Sequence, residues 1–163
     1  MALELKVKTN VKNLQARYAK MLHKLPPLIT KGLKQAGLNL KDIILTKTDK
    51  GLKYTSGKFP AYSPTYAALK GKSTVDLQDT NRMLQSIDTK MIGRNKVQLY
   101  FRSGREAMKA YWHQTGQGNL PKRPFFGFNK KVEKVIQNNF NKFIKREIKK
   151  FGIWVLEKIL HRI

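Results

Sequence analysis

The hydrophobic positions at the start of the chain follow first the period of a strand and then that of a helix. Leu3, Leu5 and Val7 alternate with charged residues, which predicts a half-buried strand. From residue 11 onward apolar side chains recur every three or four positions. Pro26-Pro27 interrupts this pattern, and Pro27 suits the first turn of a new helix. The pattern predicts either two helices separated at the prolines or one long kinked helix.

The middle of the chain has the composition of a long loop. Residues 48–75 are rich in Gly, Ser, Pro, Tyr and Lys, and only residues 64–69 suggest a helical turn. A loop of this length inside a compact domain is usually functional or mobile. Residues 80–87 then suit a short helix, which we expect Asp79 to cap.

Alternation returns after this short helix. Residues 87–92 and 96–102 predict two strands of a β-hairpin around Gly93-Arg94-Asn95, and residues 105–115 predict a helix. Asn129 is placed to cap a final helix that extends over residues 129–163 with a regular apolar stripe. The expected fold is α+β, with a small antiparallel sheet of the N-terminal strand and the hairpin, packed with the N-terminal helices and a long C-terminal helix.

Length and composition indicate one domain with many positive charges. The 163 residues suit a single domain over 1–163, and 40% of them are hydrophobic, as in globular proteins. Lys and Arg total 34 against 10 Asp and Glu, a net charge of +24. Such a charge calls for an anionic partner: nucleic acid, an acidic protein surface or anionic lipid. The chain has no cysteine, which excludes disulfides and thiolate metal sites.

The excess charge is concentrated at the two ends. Residues 1–72 carry a net +12, residues 73–129 a net +5, and residues 130–163 a net +7. Four lysines of the last helix are therefore candidate polyanion contacts: Lys142, Lys145, Lys149 and Lys150. The alternative is that they form a solvated face beside a helix-packing stripe. No segment has the apolar length of a signal peptide or a membrane span, so we expect no membrane partner and a chain made and used in a cytoplasm, or in a particle assembled there.

Nothing in the sequence indicates an enzyme. His113 lacks a nearby histidine or cysteine, although Glu106 lies two helical turns before it. Asp76, Asp79 and Asp88 suit capping and solvation better than a metal site. The glycines at 51–57 and 116–118 have neither phosphate-loop nor dinucleotide spacing. We expect no catalytic residue, metal, cofactor or small-molecule substrate.

The most informative stretch is residues 107–128, AMKAYWHQTGQGNLPKRPFFGF. Pro121 and Pro124 restrict the backbone around Arg123, which favours a stiff loop with a defined shape. Arg123 is either a solvated or salt-bridged surface residue or an inter-subunit contact, since a guanidinium pairs bidentately with carboxylates. The three phenylalanines at 125, 126 and 128 either seal the loop onto the core or dock into a neighbouring subunit.

Four segments together resemble the virion morphogenesis (tail-completion, head–tail joining) proteins of Mu-like tailed phages. They are residues 59–67 with Lys70, residues 77–87, the strand at 97–101, and an aromatic followed by His-Gln-x-Gly and Pro-x-Arg-Pro-Phe-x-Gly at 112–127. Their order and spacing match the family over roughly residues 55–135, although family members usually carry Gly where Asn81 stands.

The resemblance implies a structural virion protein rather than an enzyme. It would form a homo-oligomeric ring, a hexamer or a dodecamer, at the head–tail junction or the head-proximal end of the tail. Its partners would be other head, neck or tail proteins and the DNA that passes through the ring. The alternative is a sequence-independent nucleic-acid-binding protein. The residues that the resemblance and the loop make candidates for a subunit or partner interface are Tyr62, Pro64, Tyr66, Trp112, His113, Arg123, Pro124, Phe125 and Phe126.

Overall fold

The computed structural model describes residues 11–150, except for the side chains of residues 11, 12 and 14. The fold is α+β, as predicted. In chain order the elements are α1 Val11–Asp49, α2 Pro64–Lys70, α3 Arg82–Gln85, β1 Ile87–Ile92, β2 Lys96–Phe101, α4 Gly104–Thr115 and α5 Lys130–Lys149. Within residues 11–150, no helix combines the length and apolar character needed to cross a membrane.

Helix α1 is a single element although Pro26 and Pro27 lie inside it. Each interior proline removes a backbone donor and costs about 3 kcal/mol in a helix. Helix α5 packs along α1 and buries apolar side chains on both sides of the prolines, which offsets this cost. The members of this cluster are Met21, Ile144 and Ile148, with Tyr18, Leu25, Ile29, Phe140 and Phe143 packed against them. Of the two alternatives, one long helix through the prolines is therefore the one that forms, and packing against α5 supports it.

The hairpin forms with the expected strands. Ile87 pairs with Phe101 and Ile92 with Lys96 in antiparallel register, and Gly93 takes a positive φ of 63° in the turn. The hairpin packs on α1, where Gly37 lies so close to Val97 that a β-carbon there would be 2.6 Å from Val97 Cγ2. Close contact between helix and sheet thus depends on a glycine.

The main core lies between the second half of α1, the hairpin, α3, α4 and the loops. Its buried members are Ile44, Phe59, Val75, Leu77, Met83, Leu84, Ile87, Ala110 and Phe125. The predicted loop contributes Phe59 and Val75 to the core, so part of it is ordered against the other elements. It also contains α2, in agreement with the helical turn expected at 64–69.

The start of α3 differs from the prediction. The helix spans four residues rather than eight, and Asp79 does not cap it. Asn81 occupies the N-cap position, with a φ of 58° and no side-chain hydrogen bond to the helix. Asparagine tolerates this left-handed conformation better than most residues do, so Asn81 can adopt it at the start of the helix.

Of the remaining predictions for the fold, one is confirmed and two lie outside the described residues. Asn129 caps α5, and its side chain accepts a hydrogen bond from the Val132 backbone N–H, as expected. The strand predicted at Leu3, Leu5 and Val7 and the helix predicted beyond residue 150 lie outside the described residues.

Candidate functional site

Arg123 lies in the segment between α4 and α5, and its side chain is buried within the chain. Only 4% of its surface is exposed. Its Nε donates to the Pro60 carbonyl at 3.1 Å, its Nη2 donates to the Ala61 carbonyl at 2.9 Å, and the guanidinium lies 5.0 Å from the Tyr62 ring centre. Of the two alternatives for Arg123, a solvated or salt-bridged surface residue is therefore wrong, and an inter-subunit contact stays a prediction. The guanidinium joins two distant segments of the same molecule, because the loop turns it inward.

Gln114 of α4 fixes the loop that carries Arg123. Its side-chain oxygen accepts from the backbone N–H groups of Phe125 and Phe126, each at 3.1 Å, and its Nε2 donates to the Phe126 carbonyl at 2.9 Å. The backbone N–H of Arg123 also donates to the His113 carbonyl at 2.7 Å. Gln114 had no predicted role. The sequence did contain a signal for this role. Gln114 has a side-chain amide, which can both donate and accept hydrogen bonds, and it lies near a proline-rich loop.

The three phenylalanines have different environments. Phe125 is 1% exposed and belongs to the core, while Phe126 packs on Phe101 with ring centres 4.9 Å apart. Phe128 is 52% exposed. Of the two alternatives, sealing of the loop onto the core is confirmed for Phe125 and Phe126. Whether Phe128 docks into another subunit stays a prediction.

A pocket of about 540 Å³ opens beside Arg123. Tyr62 and Tyr66 form an edge-to-face pair on one side, with ring centres 4.8 Å apart. The pocket brings together residues of three segments that are distant in sequence. They are Tyr62, Ser63, Tyr66, Leu77, Asp79, His113, Asn119, Leu120, Pro121 and Arg123.

Tyr62 is held in place by a buried carboxylate. Asp76 is 2% exposed, and its Oδ1 accepts from the Tyr62 hydroxyl at 3.3 Å and from the Gln78 backbone N–H at 3.1 Å. Lys70 and Lys72 form ion pairs with the same carboxylate. Burial acts to raise the pKa of Asp76, but the hydrogen bonds from Lys70 and Gln78 outweigh it and hold that pKa below its usual value. The network therefore fixes the tyrosine with an ionised aspartate.

His113 and Glu106 line a smaller adjoining pocket of about 250 Å³. Burial, and then the charge of Arg123, lower the pKa of His113. Its Nδ1 and the Oε2 of Glu106 are buried atoms without a hydrogen-bond partner among residues 11–150. The other oxygen of Glu106 accepts from Lys109 at 3.1 Å, and no hydrogen bond joins Glu106 to His113 in the described part of the chain. That part also contains no group of three or more His, Asp or Glu suited to a metal ion.

The structure gathers some of the predicted interface residues and separates others. Tyr62, Tyr66, His113 and Arg123 line the pocket. Pro64 begins α2 on the surface, Trp112 is 42% exposed, and Pro124 is half-buried. Phe125 is buried and is therefore not available as a surface contact, whereas Phe126 is half-buried and its place in an interface stays a prediction.

The four candidate polyanion contacts lie on or just after α5. Lys142 and Lys149 are exposed and Lys145 is half-buried. Lys150 donates to both oxygens of Glu147 at 2.8 Å, so its ammonium group already has an anionic partner. Their role as polyanion contacts stays a prediction.

A cationic groove lies where the prolines of α1 approach the hairpin turn. Its volume is about 670 Å³, and Thr30 Oγ1 donates to the Arg94 carbonyl at 3.2 Å across the junction. The lining residues are His23, Pro26, Pro27, Thr30, Lys31, Lys34 and Arg94, and no acidic side chain is among them. Sequence analysis could not identify this groove, because Lys31 and Arg94 meet only after the hairpin packs on α1.

Comparisons of the chain with protein-family models, with curated proteins and with solved structures find no match. The likeness to phage tail-completion proteins rests on the four sequence segments alone.

Proposed function

We propose that this protein is a structural virion protein of a tailed phage, located at the head–tail junction or at the head-proximal end of the tail. It would assemble in the host cytoplasm into a ring, hexameric or dodecameric, around the path of the DNA. Its work would be to join preassembled parts, with no chemical step.

The observation that carries this proposal is the convergence of the resembling segments on Arg123. Residues 60–66 supply the two carbonyls and the two tyrosines, residues 77–79 supply Leu77 and Asp79, and the last segment supplies His113 and Arg123. The strand segment contributes Phe101, which packs on Phe126. Segments that are separated in sequence but meet in one constellation support the view that the four motifs form one functional unit.

Exposed apolar side chains near this constellation support association with other subunits. Leu69 is 82% exposed, Trp112 42%, and Tyr66 and Leu120 39% each. Single exposed apolar residues are ordinary, but several in one region are typical of interaction surfaces. Tyr66 and Leu120 line the same pocket.

The positive charge supports a position next to DNA. A net charge of +24 is costly for an isolated compact chain and favourable beside phosphates. The groove of Lys31, Lys34 and Arg94 adds a concave basic site to the candidate lysines of α5. A ring with such surfaces turned toward its channel would attract the passing duplex without reading its sequence.

Depletion of the protein during infection tests the proposal. We expect full heads and finished tails to accumulate unjoined, and we expect purified protein added to such an extract to restore joined particles. Electron microscopy counts the three species. Normal numbers of joined, infectious particles without the protein would contradict the proposal.

The cationic groove also favours a second candidate function, sequence-independent nucleic-acid binding outside any particle. The two functions differ in their need for assembly. A nucleic-acid-binding protein would bind duplex DNA as an isolated chain and would not be required for head–tail joining.

A further inference from the structure

The Arg123 guanidinium is a buried cation without an acidic partner. No carboxylate of residues 11–150 lies within ion-pair distance of it, since its hydrogen bonds go to the carbonyls of Pro60 and Ala61. Those carbonyls occupy Nε and one side of Nη2. Nη1 makes no hydrogen bond with the described residues and is not among the buried atoms sealed from solvent. The donors of Nη1 and the second donor of Nη2 have no hydrogen-bond partner among the described residues.

The position of the guanidinium makes it a preorganised donor. The two carbonyls and the Tyr62 ring fix its plane, and Tyr62 is itself tied to Asp76. A fixed guanidinium loses little conformational freedom when it binds, and its remaining donor pair matches the two oxygens of a carboxylate.

The other residues of the pocket determine which chemical group can accompany the bound carboxylate. Tyr66, Leu77, Leu120 and Pro121 provide aromatic and aliphatic walls beside the single cation. Asp79 is also in the lining and disfavours a second negative charge. A ligand with one carboxylate next to an apolar group fits this arrangement better than a phosphate, which carries more charge and no apolar group.

We propose that this pocket binds an Asp or Glu side chain together with an adjoining apolar side chain, on a segment of an acidic partner protein. A second copy of this chain is a poor source of the carboxylate, because each copy has only 10 acidic against 34 basic residues. The inference rests on the proposed function to the extent that the protein joins other subunits. It adds the chemistry that such a subunit must present.

Nuclear magnetic resonance titration of the isolated protein tests the inference. The probe is N-acetyl-leucine, which carries a carboxylate and an apolar side chain, and the matched neutral probe is N-acetyl-leucinamide. We expect saturable shifts of the Arg123 Nε–H and of the Leu77 and Leu120 methyl signals with the acid. Binding of the amide should be at least about tenfold weaker, because a charge-assisted hydrogen-bond pair is lost. Equal shifts with both probes, or no saturable shift with the acid, would overturn the inference.

Substitutions at the rim keep the test independent of folding. Arg123 itself is too buried for a clean variant, whereas Tyr66 and Leu120 are each 39% exposed. Leu120→Ala and Tyr66→Ala should each weaken binding of the acid several-fold. Leu69→Ala removes a more exposed leucine of α2 that does not line the pocket, and it should leave binding unchanged. Equal losses in all three variants would contradict the assigned pocket.

Inorganic phosphate provides the third probe and separates the pocket from the basic surface. We expect phosphate to shift lysine signals in many places without saturating the Arg123 signal. Tighter binding of phosphate than of N-acetyl-leucine at Arg123 would overturn the choice of ligand.

The titration tests the pocket separately from the proposed function. If virions contain the protein but the acid does not bind, the pocket alone is refuted. Binding of the acid with no role in joining would refute the phage function alone.

Discussion

Arg123 shows how one side chain can organise a site and stabilise the fold at once. It bonds to carbonyls 62 and 63 residues earlier in the chain, and its own backbone N–H bonds to α4. A buried hydrogen bond to a charged group contributes about 1.5–3 kcal/mol, and two such bonds end on this guanidinium.

Replacement of Arg123 should therefore destabilise the protein. We expect Arg123→Ala to lower the free energy of unfolding by roughly 2–4 kcal/mol, because it leaves the Pro60 and Ala61 carbonyls without their donor. Arg123→Lys should also destabilise, since an ammonium lacks the planar fork that reaches both carbonyls. Urea unfolding measures the effect.

Lys122→Ala is the matched control for Arg123. Lys122 is the preceding residue of the same loop and is exposed, so its loss should change the free energy of unfolding by no more than about 0.5 kcal/mol. Equal stability of the Arg123 and Lys122 variants would show that the guanidinium does not hold the loop to residues 60 and 61.

His113 gives the protein a predictable response to pH. Its pKa in the folded state is lowered, so the unfolded chain takes up a proton at a pH where the folded chain does not. The associated stability is fully present above the usual imidazole pKa of 6.5 and is lost as the pH falls toward the lower folded-state value. We expect the free energy of unfolding to be smaller at about pH 5.5 than at about pH 7.5.

His113→Gln should remove most of this difference between the two pH values. The shifted carboxyl groups of Asp76 and Glu147 have usual pKa values of 3.8 and 4.5, below this range, so they contribute little to it. Urea unfolding of both proteins at the two pH values gives the comparison. An unchanged pH dependence in the variant would assign the effect to another group.

Sequence reasoning found the members of the site but not the direction of its central side chain. The family resemblance and the proline-rich loop marked Tyr62, Tyr66, His113 and Arg123, and all four line one pocket. The inward turn of Arg123 depends on the carbonyls of residues 60 and 61, and no local pattern near residue 123 contains that information. The prediction that Asp79 caps α3 was wrong for a related reason. Asn81 has a positive φ, and the helix begins only after it.

At the scale of elements, the sequence predicted those whose signals are local. The hairpin, α4 and the Asn129 cap follow from alternation, turn residues and capping within a few positions. The sequence left open whether two helices or one kinked helix span Pro26-Pro27, since the continuity of α1 depends on packing against α5, more than a hundred residues later. Local propensity was overridden there by burial.

Gly37 tests the close packing of α1 on the hairpin. We expect Gly37→Ala to lower the free energy of unfolding by roughly 1–2 kcal/mol. Overpacking against the stiff Val97 side chain costs about 1–3 kcal/mol, and the better helix propensity of alanine offsets up to about 1 kcal/mol. Thermal or urea unfolding measures the change.

Gly104 provides the control for the same substitution in a helix. A β-carbon there meets nothing within 4 Å. Gly104→Ala should leave the free energy of unfolding unchanged or raise it by up to about 1 kcal/mol. A destabilisation of the same size at both glycines would mean that the loss at Gly37 does not come from contact with Val97.

At the scale of the whole molecule, the charge of +24 is the dominant property. We expect the isolated protein to bind duplex DNA of arbitrary sequence with an affinity that falls steeply with salt. Each phosphate contact contributes about 0.9 to the slope of log affinity against log salt concentration. The triple variant Lys31→Gln, Lys34→Gln and Arg94→Gln should therefore reduce the slope by up to about 2–3.

The control for the groove removes the same number of charges elsewhere. Arg82, Arg105 and Lys122 are exposed and belong to the mildly charged middle of the chain. Their replacement by Gln should reduce the slope by less than the groove variant does. If both triple variants flatten the slope equally, binding follows net charge alone and the groove has no special role.

The most direct measurement of the central claim is the location and copy number of the protein in purified virions of the phage that encodes it. Quantitative mass spectrometry against the major tail protein, together with cryo-electron microscopy of the neck, gives both values. The account predicts a constant number of copies, six or twelve, in one ring at the head–tail junction or the head-proximal end of the tail. Absence of the protein from finished virions that are fully joined and infectious would contradict it.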